Sequence, residues 1–367
     1  MSDRSWATPL GGAVPSPPVR FVGSDGSVTE DGARHGIDLD LARACYRDMV
    51  LARRLDHEAL ALQRQGELSL WLMAWGQEAA QVGSARALLP RDMVFPSYRE
   101  HAVALHRGVL PRELLAQWRG CTHGGWDGDE RRFHLYSLVL GTQTLHATGY
   151  AAGVRLDGGD EIVAVYFGDG ASSQGDVNEA FNWASAAALP LLFFCQNNQW
   201  AISTPVSSQT GSPLHCRAAG FGIASFVVDG NDVLAVHAVT SAAAEHVRAG
   251  GGPAFVEAVT YRRAGHSSSD DPQRYRSEEE LAGWVERDPV TRLDSLLRAA
   301  ATPASFFEGV QAESEALALQ VRDECRRIPD PDLDAIFTQA YVAERADVAR
   351  QRTERRRVLA TLDAMSA

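Results

Sequence analysis

The sequence predicts an α/β fold built on a parallel sheet, with a helical arm before the sheet and a helical tail after it. Three observations carry that expectation. Glu161-Ile-Val-Ala-Val-Tyr-Phe167 is a short apolar run ending at Gly168, and Leu191-Leu-Phe-Phe-Cys195 is a second such run. The stretch between them, about Asp176 to Ala188, has a helical pattern. Strand, helix and strand within about 35 residues make a βαβ unit, whose crossover imposes parallel pairing. Phe226-Val-Val-Asp229 and Ala254-Phe-Val-Glu-Ala-Val-Thr260 read as further strands around a helix-like stretch, Asp232 to Arg248.

The remaining elements follow in chain order. Residues 1–36 are polar and punctuated by Pro15, Pro17, Pro18 and repeated glycines, the pattern of a flexible arm. From Asp38 to Gln65 apolar residues recur at three- and four-residue spacing (Leu41, Cys45, Met49, Leu60, Leu62), which predicts one long amphipathic helix. A second helix after Gly76 is rich in small residues (Ala79, Ala80, Gly83, Ala85, Ala87), a face that lets another backbone come close, whether in this domain or in another subunit. The tail from about residue 288 is helical and charged, interrupted at Pro329-Asp-Pro331. Residues 37–367 therefore read as one domain.

Composition narrows the chemistry. The chain has 35 basic and 47 acidic residues for a formal charge of −12, a field that repels nucleic-acid backbones and anionic membrane surfaces. All the basic residues are arginine. Schiff-base enzymes, pyridoxal-phosphate enzymes and Walker A nucleotidases each need a lysine amine, so those classes are excluded. The 5 cysteines are scattered without a C-x-x-C pair, which argues against a disulfide framework or a structural zinc site. No signal peptide and no run of 18 apolar residues is visible, so a reducing cytoplasm is the expected location.

The first βα turn reads Gly168-Asp169-Gly170-Ala-Ser-Ser-Gln-Gly175. Its third glycine comes two positions late for a dinucleotide fingerprint, and Asp176 stands where a Walker A loop needs lysine. The reading that remains is a metal-bridged diphosphate. Asp169 offers a hard carboxylate oxygen, and the glycines let backbone amides approach phosphates. A second ligand for Mg²⁺ is expected at a neighbouring strand end, where Gln196-Asn197-Asn198-Gln199-Trp200 follows the strand ending at Cys195. The Asn198 amide and the Trp200 carbonyl are suitable neutral oxygens.

Gly168-Asp169-Gly170, 26 intervening residues and then Asn197-Asn198 resemble the thiamine diphosphate motif. Gly76-Gln-Glu-Ala-Ala-Gln-Val-Gly83, Phe95-Pro-Ser-Tyr-Arg-Glu100 and Gly265-His-Ser-Ser-Ser-Asp-Asp271 extend the resemblance. In this order they are similar to the α subunit of the E1 component of the two-chain 2-oxo acid dehydrogenases. The likeness spans roughly residues 38–345, and the serines after His266 are nearest to the branched-chain type.

The resemblance implies the parallel-sheet thiamine-diphosphate-binding fold, in particular its diphosphate-binding domain. It implies Mg²⁺ on Asp169, Asn198 and the Trp200 carbonyl. Gly168, Gly170, Ala171, Ala201 and Ile202 would line the cofactor. Tyr98 and Arg99 would meet the diphosphate together with Arg262 and His266. Leu138 and Leu140 would border the aminopyrimidine, while Ser137, Val139, Thr142 and Gln143 match a stretch that holds potassium in relatives. His266 would be catalytic, and Leu70 and Tyr98 would face the substrate. Four positions depart from many relatives: Cys121-Thr-His-Gly-Gly-Trp126 replaces a Met-Pro-x-His stretch, Leu138 a serine, Gln196 a phosphate-contacting arginine and Leu70 a phenylalanine.

The implied activity is oxidative decarboxylation of a branched-chain 2-oxo acid and transfer of the acyl group to a lipoyl group on an E2 acyltransferase. In single-chain relatives a second α/β domain supplies the carboxylate for the cofactor's pyrimidine. The resemblance therefore implies an E1 β subunit and an α₂β₂ heterotetramer, with no nucleic-acid or membrane partner. A pyruvate or acetoin dehydrogenase α subunit, or a catalytically silent assembly subunit, are the alternatives.

Overall fold

The computed structural model describes residues 16–122, 124–332, 334–338 and 341–366. The strands are β1 (Met93–Phe95), β2 (Val163–Gly168), β3 (Leu191–Asn197), the short hairpin β4 (Trp200–Ala201) and β5 (Thr204–Pro205), β6 (Ala224–Asp229) and β7 (Ala254–Val259). The main sheet has the order β1-β2-β3-β7-β6, and every pair in it is parallel. Its strands are buried on both faces, which is why they read as continuous apolar runs and not as alternating ones.

Neighbouring residues on each strand serve opposite faces. Ala164, Tyr166, Leu192, Phe194 and Val256 join one core, shared with α2 (Leu39–Arg64), α3 (Glu78–Ala87) and α10 (Val233–Arg248). Val163, Val165, Phe167, Phe193 and Phe255 join the other, under α6 (Thr142–Asp157) and α7 (Gly175–Ala186). Asp38 caps α2 by accepting from Asp40 N and Leu41 N, so the predicted start holds. The small face of α3 packs within the domain. A Cβ on Gly83 would lie 2.7 Å from Val233 O, so only glycine lets α3 and α10 approach this closely.

The other helices complete the frame. They are α1 (Glu30–His35), α4 (His101–His106), α5 (Pro111–Trp118), α8 (Val206–Gln209), α9 (Leu214–Gly220) and α11 (Glu278–Val285). The tail supplies α12 (Pro289–Ala299), α13 (Ala304–Arg327), α14 (Ala335–Thr338) and α15 (Ala346–Ser366). The break between α13 and α14 contains Pro329 and Pro331, as expected. Arg322 of α13 pairs with the buried Glu58 of α2, tying the tail to the long helix.

The polar-arm expectation is corrected for the part of it that is described. Residues 1–15 lie outside the described residues, but Val19 pairs in parallel with Val228 and extends the sheet beside β6. Phe21 and Val22 are buried, and both backbone amides donate to Asp232 Oδ2 at 2.7 Å. Three apolar residues around Arg20 are too few for a periodicity signal, yet the segment docks because Val227 O takes the Val19 amide and Asp232 takes those of Phe21 and Val22.

Candidate functional site

The cleft lies at the carboxyl ends of β1, β2, β3 and β7, the edge where parallel α/β sheets place ligands. The register pairs Gly168 with Gln196, so Asp169 leaves β2 as Asn197 ends β3, and the chain turn after Asn197 brings Asn198 to Asp169. Asn198 N donates to Asp169 Oδ1 at 3.2 Å, and Gln209 Nε2 donates to Asp169 Oδ2 at 3.0 Å. Asp169 is 1% exposed, and burial pushes its carboxyl up to about 6. A buried carboxylate held by neutral donors gains most from a cation, so the donor set fits one. No cluster of three or more His, Cys, Asp or Glu side chains able to hold a metal occurs among the described residues. A cation here would take its other oxygens from amides, carbonyls and a bound phosphate.

The β4–β5 hairpin carries the neutral oxygens. Asn198 Nδ2 donates to Gln77 Oε1 at 3.1 Å, while Asn198 Oδ1 accepts from Trp200 N at 3.3 Å. Gln199 has φ 74 and Ile202 has φ 53, and left-handed backbone is costly for a β-branched residue. Arg262 holds that shape. Its Nη1 donates to Trp200 O at 3.1 Å and its Nη2 to Ile202 O at 2.8 Å.

His266 stands at the end of this array. Its Nδ1 faces Arg99 Nη2 at 3.4 Å and Arg262 Nη1 at 3.3 Å, and its backbone amide donates to Asp270 Oδ2 at 2.6 Å. Guanidiniums only donate, so Nδ1 is the acceptor and the ring proton is assigned to Nε2. Burial, then Arg99 and Arg262, pull the imidazole down to about 3, which keeps it neutral at physiological pH. The same crowding lowers Arg262 to about 10, mainly through burial and then through Arg99.

The cleft brings together Tyr98, Arg99, Ser137, Leu140, Gln143, Gly168, Asp169, Gly170, Ala171, Asn198, Trp200, Ala201, Ile202 and His266. Arg262 differs from the sequence expectation. It is fully buried behind the hairpin and faces carbonyls, the Tyr275 hydroxyl and His266, without lining the cleft. Leu70, Leu138, Val139 and Thr142 do not line it either. Leu138 and Val139 are exposed beside it, and Leu70 packs half-buried against the first core. The serine-rich loop is held by more bonds than its composition suggests. Ser268 N donates to Trp71 O at 2.8 Å, Trp71 N donates to Ser268 Oγ at 3.0 Å, and the Tyr275 hydroxyl donates to Asp270.

Sequence reasoning missed several residues. Gln77, Glu100 and Gln209 line the cleft; the first two lie in stretches that carried the resemblance but received no role, and nothing in the local pattern marks Gln209. Gln196, at the position of a relative's arginine, donates to Glu100 Oε1 at 2.6 Å and accepts from Gln81 Nε2 at 3.1 Å. The substitution was the available signal.

The family model described as the dehydrogenase E1 component matches residues 46–327. The chain belongs to this family. Among relatives in it, the 3-methyl-2-oxobutanoate dehydrogenase subunit alpha of Mycobacterium tuberculosis is 44% identical over 350 residues, covering 94% of this chain and 95% of that one. The mitochondrial 2-oxoisovalerate dehydrogenase subunit alpha of Homo sapiens is 35% identical over 328 residues, covering 86% and 74%. The subunit alpha 2 of Arabidopsis thaliana is 33% identical over 337 residues, covering 89% and 71%. No helix of the described residues is long and apolar enough to cross a membrane.

Proposed function

We infer that this E1-family chain is the α subunit of a branched-chain 2-oxo acid dehydrogenase, acting with a β subunit and passing its acyl group to a lipoyl-bearing E2 acyltransferase. The observation that supports it most is the adjacency of Asp169 and Asn198 beyond paired strands, in a cleft that also holds Arg99 and His266. The alpha subunits it resembles over most of their length are named for 3-methyl-2-oxobutanoate and 2-oxoisovalerate.

Asp169, the Asn198 amide and the Trp200 carbonyl would hold Mg²⁺, and Tyr98, Arg99 and backbone amides near Gly170 would receive the diphosphate. Bound there, thiamine diphosphate supplies an electron sink for the carbanion that decarboxylation leaves. The chain's own contribution is positional and electrostatic. Arg262 fixes the hairpin carbonyls, and the two guanidiniums hold His266 with its Nε2 proton free to donate toward a carboxylate or carbonyl oxygen of the substrate. Gln143 Oε1 is buried without a partner among the described residues, which suits a potassium ion at that stretch. Ser137, Val139 and Thr142 would supply further oxygens to it. The five cysteines, all free, suit a reducing compartment such as the cytoplasm.

The test is calorimetric titration of thiamine diphosphate into the assembly of this chain with its β partner. Affinity should require Mg²⁺ and vanish in Asp169→Ala. Unchanged affinity in the variant would remove the metal assignment. Purified α chain should not decarboxylate a 2-oxo acid alone, and turnover without a partner would defeat the split-site reading.

A further inference from the structure

We propose that Gln77 is a cofactor-binding residue that serves both halves of the Mg²⁺–diphosphate unit, its carbonyl setting the cation's amide ligand and its NH₂ group donating to a diphosphate oxygen. The inference rests on the proposed function and extends it to a residue that neither the motif nor the resemblance assigned.

Gln77 is held by a turn that leaves it little freedom. Gly76 has φ +95, and a Cβ there would sit 2.4 Å from Tyr261 O. Gly76 N donates to Glu78 Oε2 at 2.9 Å, Thr260 Oγ1 donates to Gly76 O at 2.9 Å, and Gln77 N donates to Ala74 O at 2.8 Å. Glu78 is anchored in turn by Arg53 at 2.7 Å. The Gln77 side chain is therefore delivered from a fixed backbone into the cleft, where it is 0% exposed and shares the wall with Asp169 and Asn198.

Its two amide atoms have different situations. Oε1 accepts from Asn198 Nδ2. That bond selects one of the two amide orientations of Asn198 and leaves its Oδ1, which accepts the long bond from Trp200 N, a second lone pair for a cation. Nε2 is buried and has no partner among the described residues. Buried amide donors are normally paired, and an unpaired one lining a cleft marks a place for a ligand acceptor.

The rest of the site explains why such a donor is needed. Gln196 also lines the cleft, but its own NH₂ is committed to Glu100. Arg99 already donates to Met73 O at 2.6 Å and to His266 O at 2.9 Å. An anion entering here finds few uncommitted donors, and Gln77 Nε2 is one of them.

The test uses the assembly with the β partner and two variants. Thiamine diphosphate is titrated at saturating Mg²⁺, and Mn²⁺ at saturating thiamine diphosphate, by calorimetry. Gln77→Glu keeps an acceptor for Asn198 but sets a carboxylate where the NH₂ was. It should weaken thiamine diphosphate at least about thirtyfold without weakening Mn²⁺. Gln77→Met loses both groups and should weaken both ligands about tenfold. Cofactor-free melting temperatures should match the wild type. If both variants bind thiamine diphosphate as the wild type does, or lose affinity only in step with a fall in cofactor-free melting temperature, the inference is wrong and the proposed function stands. A wild-type assembly that binds no thiamine diphosphate overturns both.

Discussion

Replacing Arg262 by lysine keeps the charge and removes the fork. The guanidinium serves four acceptors from one plane: Trp200 O at 3.1 Å, Ile202 O at 2.8 Å, the Tyr275 hydroxyl at 2.8 Å and His266 Nδ1 at 3.3 Å. An ammonium at the end of a flexible stem reaches one such group, or two at most, from a single point. Arg262 is fully buried, so water does not readily replace what is lost. A hydrogen bond to a charged group is worth about 1.5–3 kcal/mol, and at least one hairpin carbonyl goes unserved. The hairpin then loses the support that keeps Gln199 and Ile202 left-handed, and cofactor binding has to supply that ordering. Thiamine diphosphate affinity of the Arg262→Lys assembly, measured by calorimetry at saturating Mg²⁺, should fall about 10- to 150-fold, since about 1.4 kcal/mol is a factor of ten. The melting temperature of the cofactor-free assembly should change much less than it would for a core substitution. Affinity within twofold of wild type would show that the carbonyl clamp does not position the site, and the role given to Arg262 would fail.

Three further outcomes follow from the packing. Asp56 is fully buried, accepts from Trp71 Nε1 at 2.8 Å, and is pushed up to about 7, chiefly by burial. Its folded value lies above its unfolded one, so ionising it opposes folding increasingly from about pH 4 to 7 and by a constant amount above that. Asp56→Asn should therefore gain stability over wild type as pH rises through that window, and a melting-temperature difference that ignores pH would refute it. Gly83→Ala sets a Cβ against Val233 O and Val236, and overpacking of about 1–3 kcal/mol should outweigh the helix-propensity gain of about 1 kcal/mol. A higher urea midpoint for this variant would contradict the close α3–α10 approach. Ile202→Gly relieves left-handed strain and should raise cofactor-free stability by up to about 1 kcal/mol while weakening thiamine diphosphate, and a gain in both would show the strained hairpin to be incidental.

What the sequence could and could not disclose has physical causes. The β2–α7–β3 unit was legible because strands buried on both faces are continuous apolar runs, and the motif residues Asp169 and Asn198 follow directly on those two runs. β1 was invisible because three residues give no period. α6 was missed because its alanines, glycines and threonines form no clear apolar stripe. Gln77 and Gln209 meet Asn198 and Asp169 across 121 and 40 residues of chain, a partnership only the folded sheet creates. Arg262 was expected on the diphosphate, but a sequence does not tell which way a guanidinium turns, and the hairpin carbonyls captured it.

Substrate choice tests the central claim most directly. The assembly of this chain and its β partner should be assayed with thiamine diphosphate, Mg²⁺ and a lipoyl acceptor, comparing kcat/KM for 3-methyl-2-oxobutanoate and pyruvate. The account predicts a preference of at least about tenfold for the branched acid, the size of discrimination that extra buried methyl groups supply. Equal or better turnover of pyruvate, or no decarboxylation of either acid, would contradict it.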